Sequence, residues 1–303
     1  MKLHFYGADC CVTGSCHCLE INGKKILVDC GLQQGRDELD NRYLAFAPGN
    51  IDILLVTHAH IDHTGRIPLL VKNGFHGRIL TTRLTADLMK IMLLDSAHIQ
   101  ESDAEYENRK GERAGREHVD PLYTEQDALD VFKYVTTCEY KEKVDLCEGV
   151  SAVFTDAGHL LGSASITLEL EENGVHKTIV FSGDIGNVDQ PIIRDPQLLK
   201  KADYVVMEST YGDRNTPRSG AIPTILPRSS TKRSAREATS SSRRSPWAAR
   251  RSFCTLSARS RIKSSSSRRR TSPCTSTRPL PRRRRLCSAA TCTAISTSRR
   301  SSL

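Results

Sequence analysis

The chain changes character near residue 215, and only the part before that point has the patterning to build a core. Up to Asn215 there are 22 Lys and Arg against 34 Asp and Glu, whereas Thr216 to Leu303 carries 22 against 1. That second stretch contains 22 Ser, 20 Arg, 7 Pro and a single Gly, and it offers no apolar face. Burial there cannot offset the conformational entropy of ordering the chain. Residues 216–303 are therefore expected to form a disordered, low-complexity basic tail, and the fold is expected within 1–215. The overall charge of +9 would suggest an anionic partner. It averages an acidic part and a basic one, so it says little about either.

Three origins fit the tail: a genuine Arg/Ser nucleic-acid-binding segment, a low-complexity linker, or a globular sequence read in a shifted frame. The third is tested by building each tail codon from the last two bases of an original codon and the first base of the next. Ser230 to Thr255 then re-reads as IDEAFREGGNVVVPAFAVGRTEELLY, and Thr271 to Arg285 as DFPVYVDSPLAAEAT. Both strings carry ordinary helix and strand patterns. Trp247 has the single codon TGG, which demands an original codon ending in TG, and the Val of FAVGRT supplies it. The shifted frame is the favoured reading, with its break between Arg214 and Thr224.

No apolar run approaches the roughly 20 residues of a membrane span. The start, MKLHFYGADC, lacks the basic-then-apolar order of a signal peptide. A cytoplasmic protein with no membrane contact is expected. Of eleven cysteines, seven precede the break and four are scattered beyond it without repeated spacing, which reads as reduced thiols.

Within the first part, residues 2–7, 16–21 and 25–29 are strand candidates bounded by Gly7, Thr13-Gly14 and Asn22-Gly23, and they predict a β-meander. Ile51 to Thr57 is a short apolar run that reads as a strand buried on both faces and ends at His58. Leu84, Leu88, Ile91, Met92 and Ala97 recur at helical spacing with Thr85 as the cap. Thr124 opens a second helix with Leu129, Phe132 and Val135 on one face. Further strands are expected at 152–155, 165–170, 178–181 and 204–207, with Asn173-Gly174 as a hairpin turn. The class is a layered α/β unit.

The chemistry concentrates in Thr57-His58-Ala59-His60-Ile61-Asp62-His63, three imidazoles and a carboxylate directly after a buried strand. Imidazole and carboxylate suit zinc, and a tight loop lets neighbouring ligands address two ions. Asp156-Ala157-Gly158-His159 and Ser182-Gly183-Asp184 each follow a strand and pair a possible ligand with a glycine that permits close backbone approach. Cys16-His17-Cys18 is read as packing, because alternation sends the two cysteines to one face and His17 to the other. Glu101 to Glu117 is read as a solvated helix end and loop.

The string THAHIDHTGRIP, with Asp29 in VDCG, His159 in AGHLLGSAS and Asp184 in FSGDIG, resembles the metallo-β-lactamase superfamily. Glu208 in MESTYGDR, residues 93–100, and the re-read FAVGRT and VYVDSPLA strings are similar to its β-CASP branch, whose members process RNA or DNA. The resemblance implies an αββα sandwich, here incomplete because the closing strands are missing, with apolar surface left exposed. It implies two Zn²⁺: His58, His60 and His159 hold one, Asp62 and His63 the second, Asp184 bridges, and Asp29 supports the ligands from behind. It implies RNA phosphodiester hydrolysis with Asp62 and Glu208 as catalytic carboxylates, and His98 lying near the site. A homodimer is possible once the frame is restored. Family members supply one more second-ion histidine, and the partner of Glu208, from later sequence. This chain has no histidine after His176, so the second position is expected to be weak and the chain inactive as it stands. Two other functions compete: a lactamase-fold hydrolase of thioesters or lactams, and a non-enzymatic RNA binder acting through the basic tail.

Overall fold

The computed structural model describes residues 1–35, 41–112, 115–199 and 201–213. The basic tail, its proposed frame break and the boundary at 215 lie outside the described residues.

Two β-sheets face each other. The first runs β1 (Lys2–Gly7), β2 (Cys16–Ile21), β3 (Lys24–Val28), β4 (Ile53–Leu55), β5 (Arg78–Thr82) and β6 (Val135–Cys138) in spatial order. Its first three strands are antiparallel, as the expected meander requires, and the pairings from β3 to β6 are parallel. The second is ordered β11 (Tyr204–Val206), β10 (Val175–Phe181), β9 (Ala164–Glu172), β8 (Val150–Asp156) and β7 (Lys143–Cys147), antiparallel except for β10 with β11. Asn22-Gly23 and Asn173-Gly174 turn their hairpins with positive φ at both residues (49° and 73°, 51° and 73°), the requirement that selects Asn-Gly.

Alternation along the strands divides the apolar residues into two cores. One face of the first sheet, with Cys16, Cys18, Leu27, Leu54 and Ile79, packs on α2 (Ile67–Lys72), α3 (Arg83–Glu112) and α4 (Glu125–Asp130) through Leu70, Met89, Leu93 and Ala128. Its other face, with Leu19, Ile26, Val28, Leu55 and Leu80, meets Phe154, Ile166, Leu168, Ile179 and Phe181 of the second sheet. Each such fully buried side chain contributes about 1.5–3 kcal/mol. The layers are thus helices, sheet, sheet, and among the described residues no helix covers the outer face of the second sheet. Val205, Met207, Ile185 and Val188 are exposed at its β10–β11 side. Cys16 and Cys18 do share one face, with His17 on the other, stacked on Phe181.

Several local expectations need correction. The strand expected at 51–57 is only Ile53–Leu55. Val56 N–H still donates to Leu80, but Thr57 N–H is taken by the Asp29 carboxylate at 2.9 Å, so a side chain ends the strand. Thr85 is not the cap of α3, which begins two residues earlier. The Thr82 hydroxyl accepts the Thr85 N–H, and the Thr85 hydroxyl donates to Gly162. Thr124 does cap α4, in a reciprocal capping box with Asp127. The buried positions there are Ala128 and Val131, not Leu129, and Val135 belongs to β6. No helix is long and apolar enough to cross a membrane among the described residues.

Candidate metal centre

The histidine cluster sits where β4 ends between the two sheets. His60 leads into the four-residue turn of helix α1 (Ile61–Thr64), whose His63 and Thr64 N–H groups both donate to the His60 carbonyl. That turn reverses the chain, so that the rings of His58 and His63 lie 4.1 Å apart. The loop is seated on the segment around Asp29: Ser15 N–H donates to Asp62 O, Cys30 N–H to His63 O and Leu32 N–H to Ile61 O. Gly31 makes this approach possible, since a Cβ there would stand 1.6 Å from the Asp62 carbonyl oxygen. The buried Arg66 ties the same strap by donating from Nε to Gly31 O at 2.6 Å.

His159 follows β8. Asp156 accepts the Gly158 N–H, and the Ser163 hydroxyl accepts the N–H groups of His159 and Leu160, which sets the loop. Asp184 follows β10 behind Gly183, which adopts φ +56° and packs on Thr57.

These three segments converge. His58 Nε2 lies 3.0 Å from His60 Nδ1, and His159 Nε2 is 3.2 Å from the same nitrogen. Asp184 Oδ2 stands 3.6 Å from His58 Nε2 and 3.5 Å from His159 Nε2. One ligand atom from each of His58, His60, His159 and Asp184 lies within 4.8 Å of the others, three nitrogens and one oxygen that suit a zinc-like divalent ion. On the other side, Asp184 Oδ1 is 3.3 Å from His63 Nε2, which is 4.0 Å from Asp62 Oδ2. Asp184 therefore turns one oxygen toward each group.

Electrostatics separates the two groups. Burial pushes the His58 imidazole well below its ordinary range, helped by the neighbouring histidines, and lowers His60 as well. Both are neutral near pH 7, the form that ligates metal. Burial would lower His63 too, but the Asp29 and Asp184 carboxylates reverse this and push it up to about 10. Asp184 is lowered despite its partial burial, chiefly by its hydrogen bond to His63.

Asp29 lies behind His63. It is buried, adopts φ +59°, and accepts from Ser15 Oγ, Thr57 N–H, Thr57 Oγ1 and His63 Nδ1, the last at 2.7 Å. Fixing Nδ1 of His63 aims its Nε2 at Asp184. Thr57, Ser15 and Gly31 are the functional residues that sequence reasoning missed. Thr57 stands inside the quoted motif, but nothing local reveals that its hydroxyl joins Asp29. Glu208 lies outside the ligand cluster: its Oε1 accepts the Ile185 N–H at 2.7 Å and its Oε2 the Thr210 hydroxyl, so it braces the turn that presents Asp184. His98, expected near the site, is exposed and pairs with Glu125 at the start of α4.

The pattern of the metallo-beta-lactamase superfamily matches residues 11–223. Ribonuclease TTHA0252 of Thermus thermophilus is 36% identical over 215 residues, which cover 71% of this chain and 44% of that protein. Probable RNase MJ4 of Methanocaldococcus jannaschii is 31% identical over 231 residues, covering 73% and 48%. Transcription termination factor FttA of Methanosarcina mazei is 32% identical over 207 residues, covering 66% and 30%. The chain spans less than half the length of each of these relatives. Fold, ligand geometry and family pattern agree: the chain belongs to the metallo-β-lactamase superfamily.

Proposed function

We propose that this chain carries the metal-binding domain of a zinc-dependent RNA phosphodiesterase of the β-CASP type. The observation that carries the reading is Asp184, whose two oxygens face separate ligand groups, because a two-ion site suits in-line displacement at phosphorus. His58, His60, His159 and Asp184 would hold one zinc, and Asp62, His63 and Asp184 the second. Zinc in such a site supplies Lewis-acid polarisation of a phosphoryl oxygen and makes water a usable nucleophile near neutral pH.

The chain's own residues prepare that chemistry. Burial keeps His58 neutral, so its Nε2 lone pair is available. Asp29 locks the ring of His63 and leaves the opposite nitrogen facing Asp184. Asp62, one-quarter exposed and 4.0 Å from His63 Nε2, would orient an attacking water and accept its proton. Glu208 would act near the leaving oxygen, with its hold on Ile185 N–H keeping it beside the Asp184 turn. RNA is favoured over thioester or lactam substrates because relatives named ribonucleases match over most of this chain. The free cysteines among the described residues suit a reducing, cytoplasmic setting.

With no histidine beyond His176, the 303-residue chain alone would hold its second zinc loosely and cut RNA poorly. A frame-restored chain, for which a homodimer is a further expectation, should bind two zincs and cleave single-stranded RNA. Asp62→Asn should lower that rate by roughly a hundredfold or more. Two bound zincs with thioester hydrolysis and uncut RNA would overturn the substrate assignment.

A further inference from the structure

Beside His159 the structure holds a second feature, a cavity of about 400 Å³ lined by Tyr140, Asp156, Leu160, Leu161, Arg83 and Arg194 among others. We propose that this cavity is a base-binding subsite that receives one nucleotide of single-stranded RNA, with guanine as the preferred base. The proposal rests on the RNA reading above and adds where, and by what chemistry, a nucleotide is held.

The walls are built from fixed parts. The hydroxyls of Thr82 and Thr85 both donate to the Gly162 carbonyl, at 2.7 and 2.8 Å, and the Tyr140 hydroxyl donates to Ser163 O at 2.9 Å. These bonds clamp the turn bearing Leu160 and Leu161 onto the first sheet, so the cavity exists before a ligand arrives, as small-molecule sites usually do. The same turn begins at His159, so the Leu160 wall of the cavity is the chain neighbour of a candidate metal ligand.

The lining matches a nucleotide group by group. Tyr140 and the two leucines offer an aromatic and apolar surface for a base, whose faces stack without regard to sequence. Leu161 is 45% exposed and Leu84, on the same rim, 49% exposed, apolar area that a stacked base would cover. Asp156 is 6% exposed; its Oδ1 already takes the Gly158 N–H, and the carboxylate keeps further acceptor capacity. A carboxylate among apolar walls selects a base edge rich in donors, and guanine presents an adjacent N1–H and N2 amine. Arg83 and Arg194 are exposed at the cavity and suit a phosphate. Glu139, also exposed there, keeps the rim from being a general anion trap.

The test titrates GMP, AMP, CMP and UMP into the zinc-loaded full chain by calorimetry, with saturation-transfer NMR to locate contacts. GMP should bind roughly tenfold more tightly than UMP, the difference expected from one additional charged hydrogen bond. Leu161→Trp, which fills the cavity, should abolish GMP binding with the circular dichroism unchanged. Asp156→Asn retains an acceptor for Gly158 N–H but should erase the preference for guanine. Arg194→Ala should weaken GMP while leaving guanosine unaffected. Equal affinity for all four nucleotides, or GMP binding that survives Leu161→Trp, would overturn the proposal. RNA cleavage by a frame-restored chain without GMP binding would overturn the subsite while leaving the hydrolase reading intact. GMP binding in a chain that never cuts RNA would support the subsite and count against the hydrolase.

Discussion

The two halves of the candidate metal centre share the loop of His58 to His63 and yet are built on opposite electrostatic plans. His58 and His60, with His159 from the second sheet, form a cluster in which burial and mutual repulsion keep His58 and His60 uncharged. His63, five residues after His58, lies between the Asp29 and Asp184 carboxylates and holds its proton up to about 10. Imidazoles of one loop thus differ in charge because of their carboxylate neighbours, not their residue type. The first half is ready for a cation. The second would have to exchange a proton for one.

The largest effect in breaking this contrast should come from Asp29→Ala. It strips the acceptor from Ser15, from the Thr57 N–H and hydroxyl, and from His63, all in a buried setting, and should cost about 3–5 kcal/mol. Chemical denaturation of the metal-free chain would register it, and a cost under about 1 kcal/mol would show that Asp29 is not the anchor.

His159→Ala should lower affinity for the first zinc by roughly a hundredfold or more while leaving the fold intact, because this ligand is partly exposed and its loop is held by Ser163. His63→Ala should leave that affinity nearly unchanged. A competition titration with a chromophoric chelator separates the two variants, and equal losses would merge the halves into one site.

Proton release sharpens the comparison next. Below pH 10 a proton competes with metal at His63, so affinity at the second position should rise as pH climbs toward about 10, with release of about one proton per ion near pH 7.5. The first position, with His58 and His60 already neutral, should show little such gain above pH 7. Calorimetry in buffers of different ionisation enthalpy measures both.

The smallest effect concerns the thiols behind the site. Burial pushes Cys18 up to about 11 and Cys138 up to about 12, so both stay protonated at pH 8. Iodoacetamide should therefore label the exposed Cys10 first and those two last, as read by peptide mass spectrometry. Early labelling of Cys18 would mean that the helix-side core is open.

Much of this was legible from sequence, for reasons that differ by element. The meander and both Asn-Gly hairpins are local matters, since positive φ at both turn positions leaves few residues eligible. The clustering of His58 and His60 was legible because three imidazoles crowd into THAHIDH directly after a buried strand, while the arrival of His159 and Asp184 beside them needs the fold. The end of β4 was not, because it depends on Asp29, 28 residues before Thr57. Thr85 misled for the same kind of reason: its hydroxyl serves Gly162, 77 residues later. The cavity beside His159 was equally hidden, since its walls come from four separated segments that only tertiary packing joins.

Zinc stoichiometry separates a candidate site that is ready for a cation from one whose His63 would first shed a proton. The full chain, loaded with excess zinc and dialysed against a mild chelator at pH 7.5, would be weighed by native mass spectrometry. One retained zinc is expected, lost in His159→Ala and kept in His63→Ala. Two zincs retained with equal tenacity, or none, would contradict it.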